Sequence, residues 1–458
     1  MRVLRSGMLV LAANLTEVLS ALVRNLILAR LLTVEQFGIA ATFAILMTLV
    51  ETFQNAGLNR MIVQDPEAMQ PHFMASLHGT QLVIGVAAGV LMAILAWPFA
   101  WAMDTPTLVV AYLTMAVIPL CTGFTHLETF RAQREGRFAP QALRSFISQP
   151  IGVLAVWPGF WWFGDYRAAL VAIFAQQLSA IVLTHVAVRE RFALAYDRDI
   201  WRRAFAFAWP LTLNGFLMFW VVNGDRMVVS NRFGAATLAW LSVALMLTMM
   251  PANLVARTVQ TLALPALARN QHDGRQFAKL YNMTTTSLAL VGVSMTLGLV
   301  LLGKYVLLIL FGERYLPAQA LLGLVACMNG VRLIRAAPVI AAMARGETRN
   351  PLYANIIRAC AIPLAFAAAW QTGDLTLMLG VGIGGEVVAA IASGVLAWRH
   401  VRVPGRQYLI CTALALCAMV GALAIPSLGW WAGMPTATGM AGLVIIGAVQ
   451  WRGMKGRR

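Results

Sequence analysis

The stretch MLVLAANLTEVLSALVRNLILARLL, residues 8–32, decides the fold, because it is long and apolar enough to cross a membrane. About 20 mostly apolar residues, wound as a helix, span a hydrocarbon core of about 30 Å. Two charged residues, Glu17 and Arg24, lie well inside this stretch. A charged group at that depth normally faces a water-filled cavity or a partner. The stretch therefore predicts a membrane-spanning helix, retained as the first helix of the chain, with one polar face.

The rest of the chain has the same apolar character. Of its 458 residues, 60% are hydrophobic and 12% are charged, and the mean hydropathy is +0.74. Soluble domains carry about 25% charged residues. Runs of apolar residues separated by Pro, Gly and charge therefore predict an all-α polytopic membrane protein with about fourteen transmembrane helices. The predicted spans are 7–30, 37–58, 77–101, 107–130, 142–163, 167–188, 205–230, 236–260, 283–310, 316–343, 352–371, 375–398, 407–425 and 431–450.

The basic residues predict the orientation of these spans. If the chain starts inside the cell, most of its 35 lysines and arginines fall in cytoplasmic segments, Arg144 and Arg358 among them. Cytoplasmic loops of membrane proteins carry such an excess. We therefore expect both termini in the cytoplasm. The net charge of +17 is then explained by orientation and by contact with anionic membrane lipids, and nucleic acid is not an expected partner.

An internal repeat divides the chain. At an offset of 202 residues, Arg24 and Arg30 align with Arg226 and Arg232 without a gap. Six spans separate the copies, so both halves would enter the membrane from the same side, as in parallel repeats of alternating-access transporters. The predicted organisation is two pseudo-symmetric six-helix lobes, 1–200 with helices 1–6 and 201–402 with helices 7–12. Residues 403–458 add helices 13 and 14 and a basic tail.

Charged and amide residues inside the spans predict a substrate cavity. A Lys or Arg at a helix centre costs about 2.5–3.5 kcal/mol on insertion scales, so such residues are expected to face polar surroundings. The predicted cavity residues are Asn14, Glu17, Arg24, Glu51, Asn214, Asn223, Asp225 and Arg226. Two alternatives stay open at this point: Arg24 could extend its side chain outward to the headgroups, and Glu51 could be a structural carboxylate.

A second set of charges predicts an inner gate. Arg332 and Arg335 are three residues apart and therefore share a helix face, and Glu128 lies at a similar predicted depth in the other lobe. An ion pair among them would close the cytoplasmic side, although extension of both arginines to the inner surface explains them equally well. Glu386, flanked by glycines in GIGGEVVAA, is open to a functional or a packing interpretation.

Motifs of enzymes are missing from the sequence. It contains no HExxH, no phosphate-binding loop, no GxSxG and no paired carboxylates on a soluble loop. The five cysteines lie in apolar runs without the spacing of metal ligands. We expect neither an enzyme nor a metal site nor a cofactor. Transport would then draw on an ion gradient, the membrane potential or the gradient of the substrate.

The segment LARLLTVEQFGIAATFAILMTLVETFQNAGLNRMIVQ, residues 28–64, resembles the opening of polysaccharide-export and oligosaccharide flippases. Similar too are DRMVVSNRFGAATLAWLSVALML (225–247), FRAQREGRFAP (130–140) and AMARGETRNP (342–351). These flippases belong to the multidrug, oligosaccharidyl-lipid and polysaccharide exporter superfamily. The resemblance implies two six-helix lobes with a cavity lined chiefly by helices 1, 2, 7 and 8. It also implies a place in the bacterial inner membrane.

The same resemblance implies the substrate, a polyprenyl-pyrophosphate-linked oligosaccharide that passes from the inner to the outer leaflet. The residues agree chemically, because a guanidinium can hold two phosphate oxygens and the amides of Asn14, Asn214 and Asn223 could contact sugar. By analogy, helices 13 and 14 would bind the lipid tail. Glycan-assembly proteins are candidate partners, and the use of a coupling cation is left open. The alternatives are a cation-coupled drug or small-molecule antiporter and a membrane glycan polymerase or ligase.

Overall fold

The computed structural model describes residues 2–54, 57–188, 190–347, 349–428 and 433–455. Met1 and residues 456–458, the chain ends predicted to be cytoplasmic, lie outside the described residues. The described residues form helices and contain no strand. The α-helices are α1 Arg2–Leu31, α2 Val34–Gln54, α3 Leu58–Gln64, α4 Pro71–Ala102, α5 Val109–Met115, α6 Val117–Thr122, α7 Glu128–Arg134, α8 Ala139–Leu154, α9 Val156–Phe163, α10 Arg167–Val186, α11 Arg198–Arg269, α12 Gly274–Leu310, α13 Ala318–Ala344, α14 Arg349–Thr372, α15 Leu375–Leu396, α16 Gly405–Leu428 and α17 Gly433–Lys455.

This helix set confirms the all-α polytopic fold. Eleven helices within the described ranges are long and apolar enough to cross a membrane. One of them, α11, runs through two of the predicted spans, 205–230 and 236–260. Its helical geometry is interrupted at Gly234, where φ is 81° and ψ is 175°. Glycine adopts this left-handed φ without a Cβ clash, so the break falls between the two predicted spans.

Two predicted spans are not single helices. Within 107–130, α5 ends at Met115, α6 ends at Thr122, and α7 begins only at Glu128. Within 142–163, α8 ends at Leu154 and α9 follows. Pro119 and Pro158 lie four residues beyond Met115 and Leu154. A proline ring collides with the carbonyl four residues earlier and donates no hydrogen bond to it, which ends each helix there.

The chain folds into two compact units, which we call unit 1 and unit 2. Unit 1 comprises Met1–Asn223 and Val229–Ala239, and unit 2 comprises Gly224–Val228 and Trp240–Arg458. The five residues Gly224–Val228 of α11 therefore belong to unit 2, although the residues on both sides of them belong to unit 1. The lobe limits at residues 200 and 402 come from the sequence repeat and stay predictions.

Unit 1 is built around buried aromatic and aliphatic side chains of α2, α4 and α5. Tyr112 is fully buried, packs edge-on against Phe43 with ring centroids 5.6 Å apart, and shares a hydrogen bond of 2.7 Å with the Thr42 hydroxyl. A second cluster joins α3, α4 and the start of α11 through Ile62, Phe73 and other apolar residues. The buried ring of Tyr112 stabilises this packing, because its hydroxyl keeps a hydrogen-bond partner inside the protein.

Glycine permits a close approach of α2 and α11 within unit 1. A Cβ atom placed on Gly38 would lie 1.8 Å from the carbonyl oxygen of Ala235. We expect Gly38→Ala to destabilise the protein by about 1–3 kcal/mol, because the two helices must separate to admit the methyl group. The matched control is Gly298→Ala in α12, where a Cβ would meet no heavy atom within 4 Å. Apparent melting temperatures of the purified variants in detergent test this, and equal values would contradict it.

The segment between α10 and α11 is held against unit 1. Ala195 N–H donates to the Ala75 carbonyl over 3.0 Å, and a Cβ on Gly79 would lie 2.3 Å from the Ala195 carbonyl oxygen. His78 accepts a hydrogen bond from Leu127 N–H at Nε2 and donates from Nδ1 to the Ala193 carbonyl at 3.2 Å. The segment is therefore docked by backbone contacts and by a neutral imidazole.

Unit 2 has its core between α12, α13, α15 and α16. Tyr281, Tyr408, Leu288, Val331 and Ile334 are buried there. The Tyr408 hydroxyl donates to the carbonyl of Ala390 over 2.9 Å, so the phenol is satisfied inside the apolar core. Helices α16 and α17, predicted as the two appended helices, pack in this unit.

Candidate functional site

The polar face of α1 makes its contacts inside unit 1. The hydroxyl of Ser145 in α8 donates to Glu17 Oε1 over 2.7 Å. The guanidinium of Arg24, which is half-buried, donates from Nη1 to Gln176 Oε1 in α10. Both charged residues of the first predicted span therefore have hydrogen-bond partners on neighbouring helices.

Arg144 completes this group, although the sequence predicted it in a cytoplasmic segment. It lies in α8 directly before Ser145 and is half-buried. Its guanidinium interacts electrostatically with Glu17 and Glu51. The group in unit 1 thus contains two arginines, Arg24 and Arg144. It also contains two carboxylates, those of Glu17 and Glu51, so its formal charges sum to zero. Arg144 lies in a helix rather than in a loop, and its position on the cytoplasmic side stays a prediction.

A polar cavity opens beside Glu51. Its volume is about 100 Å³. The side chain of Gln177 in α10 donates to Glu51 Oε1 at 3.3 Å. The cavity is lined by Met47, Glu51, Gln54, Asn59, Gln81, Thr122, Thr125, Leu127, Phe130, Arg144 and Gln177. Hydroxyl and carboxamide groups predominate in this lining, which contains one carboxylate and one guanidinium.

Unit 2 contains a buried group of charges that we call the charge cluster: Asp225, Arg332, Arg335, Arg358 and Glu386. Glu386 is fully buried and accepts hydrogen bonds from Arg332 Nη2 at 2.6 Å and from Arg358 Nε at 3.2 Å. Arg335 Nε lies 3.5 Å from the other carboxylate oxygen. Arg358 also donates from Nη2 to Asp225 Oδ2. Arg358 of α14 therefore joins α11 to α15. Helix α13 is attached to the same carboxylate by Arg332 and Arg335.

The charge cluster carries more positive than negative charge. Three guanidinium groups face two carboxylates, and Arg226 follows Asp225 directly in the chain. Asp225 Oδ1 and Arg358 Nη1 are buried without a hydrogen-bond partner within the described part of the chain. Charges taken out of water cost several kcal/mol each unless they are paired. A positive excess at this depth favours an anionic group as an additional partner.

Arg358 is the residue that sequence reasoning misplaced most clearly. It was predicted to be cytoplasmic, yet it is fully buried in α14 and bonded to two acids on other helices. The signal was present in the sequence, because Arg358 lies inside the predicted span 352–371. The sequence left Glu386 open between packing and function. In the structure its carboxylate lies against all three arginines of the charge cluster.

The predicted amide residues are not gathered at one place. Asn14 and Asn214 are exposed. Asn223 is buried, and its Nδ2 donates to the Phe219 carbonyl of its own helix at 3.3 Å. Arg226 is half-buried beside Asp225. The three asparagines do not form one binding site in these positions. Their contact with sugar stays a prediction.

The residues of the predicted inner gate have partners within their own units. Glu128 accepts hydrogen bonds from Arg131 Nη1 at 3.1 and 3.2 Å, whereas Arg332 and Arg335 turn to Glu386. A gate made by these residues would require them to exchange partners.

Known proteins resemble this chain in sequence and in fold. The sequence profile described as "Polysaccharide biosynthesis protein" matches residues 27–320. The amylovoran biosynthesis protein AmsL of Erwinia amylovora is 21% identical over 311 residues, which cover 65% of this chain and 77% of AmsL. The succinoglycan biosynthesis transport protein ExoT of Rhizobium meliloti is 24% identical over 311 residues, 67% of this chain and 62% of ExoT.

Solved structures share the fold. The lipid II flippase MurJ in an inward closed conformation superposes with a TM-score of 0.69 at 14% identity, covering 98% of this chain and 99% of MurJ. An inward-facing multidrug resistance transporter of the MATE family superposes with a TM-score of 0.68 at 13% identity, covering 84% of this chain and 94% of that one. At such identities the likeness shows the fold alone. The profile match, in contrast, extends over more than half of the chain, and the chain therefore belongs to the polysaccharide biosynthesis protein family.

Proposed function

We propose that the chain moves a polyprenyl-pyrophosphate-linked oligosaccharide from the inner to the outer leaflet of the bacterial inner membrane by alternating access, for surface polysaccharide synthesis. Its family, and the names of the relatives AmsL and ExoT, place such proteins in polysaccharide biosynthesis and transport. The fold is that of a lipid II flippase. The protein performs no bond-making step, and both termini face the cytoplasm.

The observation that carries this proposal is the positive excess of the buried charge cluster. A transporter for cationic drugs needs carboxylates that the substrate can neutralise. Here Glu386 and Asp225 are already bonded to arginines, and positive charge remains. A pyrophosphate group supplies the opposite charge, and guanidinium groups bind its oxygens with paired, charge-assisted hydrogen bonds.

In this mechanism the pyrophosphate group is held by Arg226, which directly follows Asp225 of the charge cluster, and by Arg24, its counterpart in the sequence repeat. Each supplies one guanidinium. Glu17, Glu51 and Asp225 hold the neighbouring arginines in orientation and limit the positive charge. Asn14, Asn214 and Asn223 contact sugar. Closure on the cytoplasmic side uses Glu128 with Arg332 and Arg335 after they leave their present partners.

The lipid part of the substrate stays among the membrane lipids. The energy for transport comes from outside the chain, through a coupling cation or the consumption of the flipped product. Glycan-assembly proteins that use this product are the expected protein partners.

Transport by the purified protein tests the proposal. We expect proteoliposomes to translocate a fluorescent polyprenyl-pyrophosphate oligosaccharide several-fold faster than protein-free liposomes, and to leave the rate for the lipophilic cation ethidium unchanged. Fluorescence that becomes accessible to a membrane-impermeant quencher measures the translocation. The reverse result, ethidium transport without movement of the glycolipid, would replace the flippase by a drug antiporter.

A further inference from the structure

We propose that the polar cavity of unit 1 is a binding subsite for hydroxyl groups of the transported sugar. This inference rests on the proposed function and adds the place where the uncharged part of the substrate binds. The cavity has about 100 Å³, and one water molecule occupies about 30 Å³ in the liquid. It therefore holds about three waters, which neighbouring hydroxyl groups at one edge of a sugar ring can replace.

The three glutamines of the lining each donate a hydrogen bond to the protein through the amide nitrogen. Gln54 Nε2 donates to the Pro119 carbonyl at 3.0 Å and to the Thr122 hydroxyl. Gln81 Nε2 donates to the Thr122 carbonyl at 3.4 Å, and Gln177 Nε2 donates to Glu51. At least one hydrogen of each of these amide groups is thus bonded to the protein. The oxygens of the three amides have no donor among the described residues, so they are left for a ligand.

Glu51 and Arg144, the two charged residues of the lining, also offer hydrogen bonds to a ligand. The carboxylate of Glu51 accepts from Gln177 on Oε1 and can accept a ligand hydroxyl on its other oxygen, whereas the guanidinium of Arg144 can only donate hydrogen bonds. A sugar hydroxyl both donates and accepts, so neighbouring hydroxyls can bond to a carboxamide oxygen and to the guanidinium together. Leu127 and Phe130 add an apolar wall, against which the C–H face of a sugar ring can pack.

The lining has one carboxylate and one guanidinium, so it favours an uncharged sugar over a phosphate or a metal cation. A phosphate would meet the carboxylate of Glu51, which repels it. A metal cation would find oxygen donors, yet the guanidinium of Arg144 lies in the same lining and opposes its charge. An uncharged polyhydroxyl compound meets neither repulsion, and it is therefore the ligand that the lining favours.

The test compares two lipids on the full-length protein in lipid nanodiscs, by native mass spectrometry. One probe is the lipid-linked oligosaccharide extracted from a strain that lacks this protein, and the other is undecaprenyl pyrophosphate without sugar. The variants are Gln81→Met and Gln177→Met, which keep the side-chain length. Gln260→Met is the matched control, because Gln260 lies in unit 2 and outside this cavity.

We expect each cavity variant to bind the sugar-bearing lipid about 3–10-fold more weakly, the loss for one neutral hydrogen bond. Binding of the sugar-free lipid and both affinities of the control should equal those of the wild type. Unchanged affinity in both variants, or equal weakening for the two lipids, would overturn the subsite and leave the proposed function intact. Sodium-dependent binding that Gln81→Met abolishes would assign the cavity to a cation instead. A wild-type protein that binds neither lipid would refute the proposed function itself.

Discussion

Replacement of Arg358 by methionine is expected to destabilise the protein by about 3–5 kcal/mol, the cost of removing one partner from a buried ion pair. The substitution leaves Asp225 without its guanidinium and takes one of three arginines from Glu386. Both acids are buried, so water cannot take over the lost bonds at low cost.

Unfolding by increasing SDS in mixed micelles measures this effect. Arg399→Met is the matched control, because Arg399 is exposed near the end of α15, and we expect its midpoint to equal that of the wild type. The double variant Arg358→Met with Asp225→Asn should recover part of the loss, since the unpaired acid has been removed. A stable single variant would show that Arg358 is not the residue that joins the cluster.

Loss of polysaccharide export is the second large effect that we expect. In a strain lacking the chromosomal gene, Arg24→Ala and Arg226→Ala should each reduce surface polysaccharide about 10–100-fold, as expected for the loss of a charge-assisted bond of about 1.5–3 kcal/mol. The double variant should abolish export. Arg24→Lys and Arg226→Lys should restore part of it, because lysine keeps the charge but loses the paired geometry.

The repeat itself provides the controls for this experiment. Arg30 and Arg232 follow the same offset of 202 residues, and both are exposed. Arg30→Ala and Arg232→Ala should export like the wild type. Immunoblots of the membrane fraction show whether each variant is present, which matters because Arg24 also bonds to Gln176. Normal export by both Arg24→Ala and Arg226→Ala, at normal protein levels, would end the proposed role of these guanidinium groups.

Much of the fold could be predicted from apolar run length, because only a helix satisfies its own backbone inside a membrane. The breaks before Val117 and Val156 could also have been predicted, since Pro119 and Pro158 mark them. The run 107–130 nevertheless predicts one helix, because its hydropathy continues across the break. Apolar character gives the depth of a segment but not the continuity of its helix.

The candidate site was predictable only in part. Glu17 and Arg24 are evident as charges in an apolar run, whereas Arg144 and Arg358 resemble cytoplasmic charges because they lie in the first turns of their predicted spans. The partner of Arg358 could not be predicted, since Asp225 is 133 positions away in the chain. Pairs at such a distance depend on how helices pack, which periodicity within one helix does not reveal.

The paired residues of the charge cluster are far apart in the chain, so they are synthesised at different times. Asp225 is synthesised 133 residues before Arg358, and Arg332 is synthesised 54 residues before Glu386. Helices α11 and α13 are therefore made before the residues that neutralise their charges in the folded protein. Until α15 emerges from the ribosome, α13 carries two guanidinium groups without the carboxylate that neutralises them in the folded protein, and these groups need water or another polar partner for that interval.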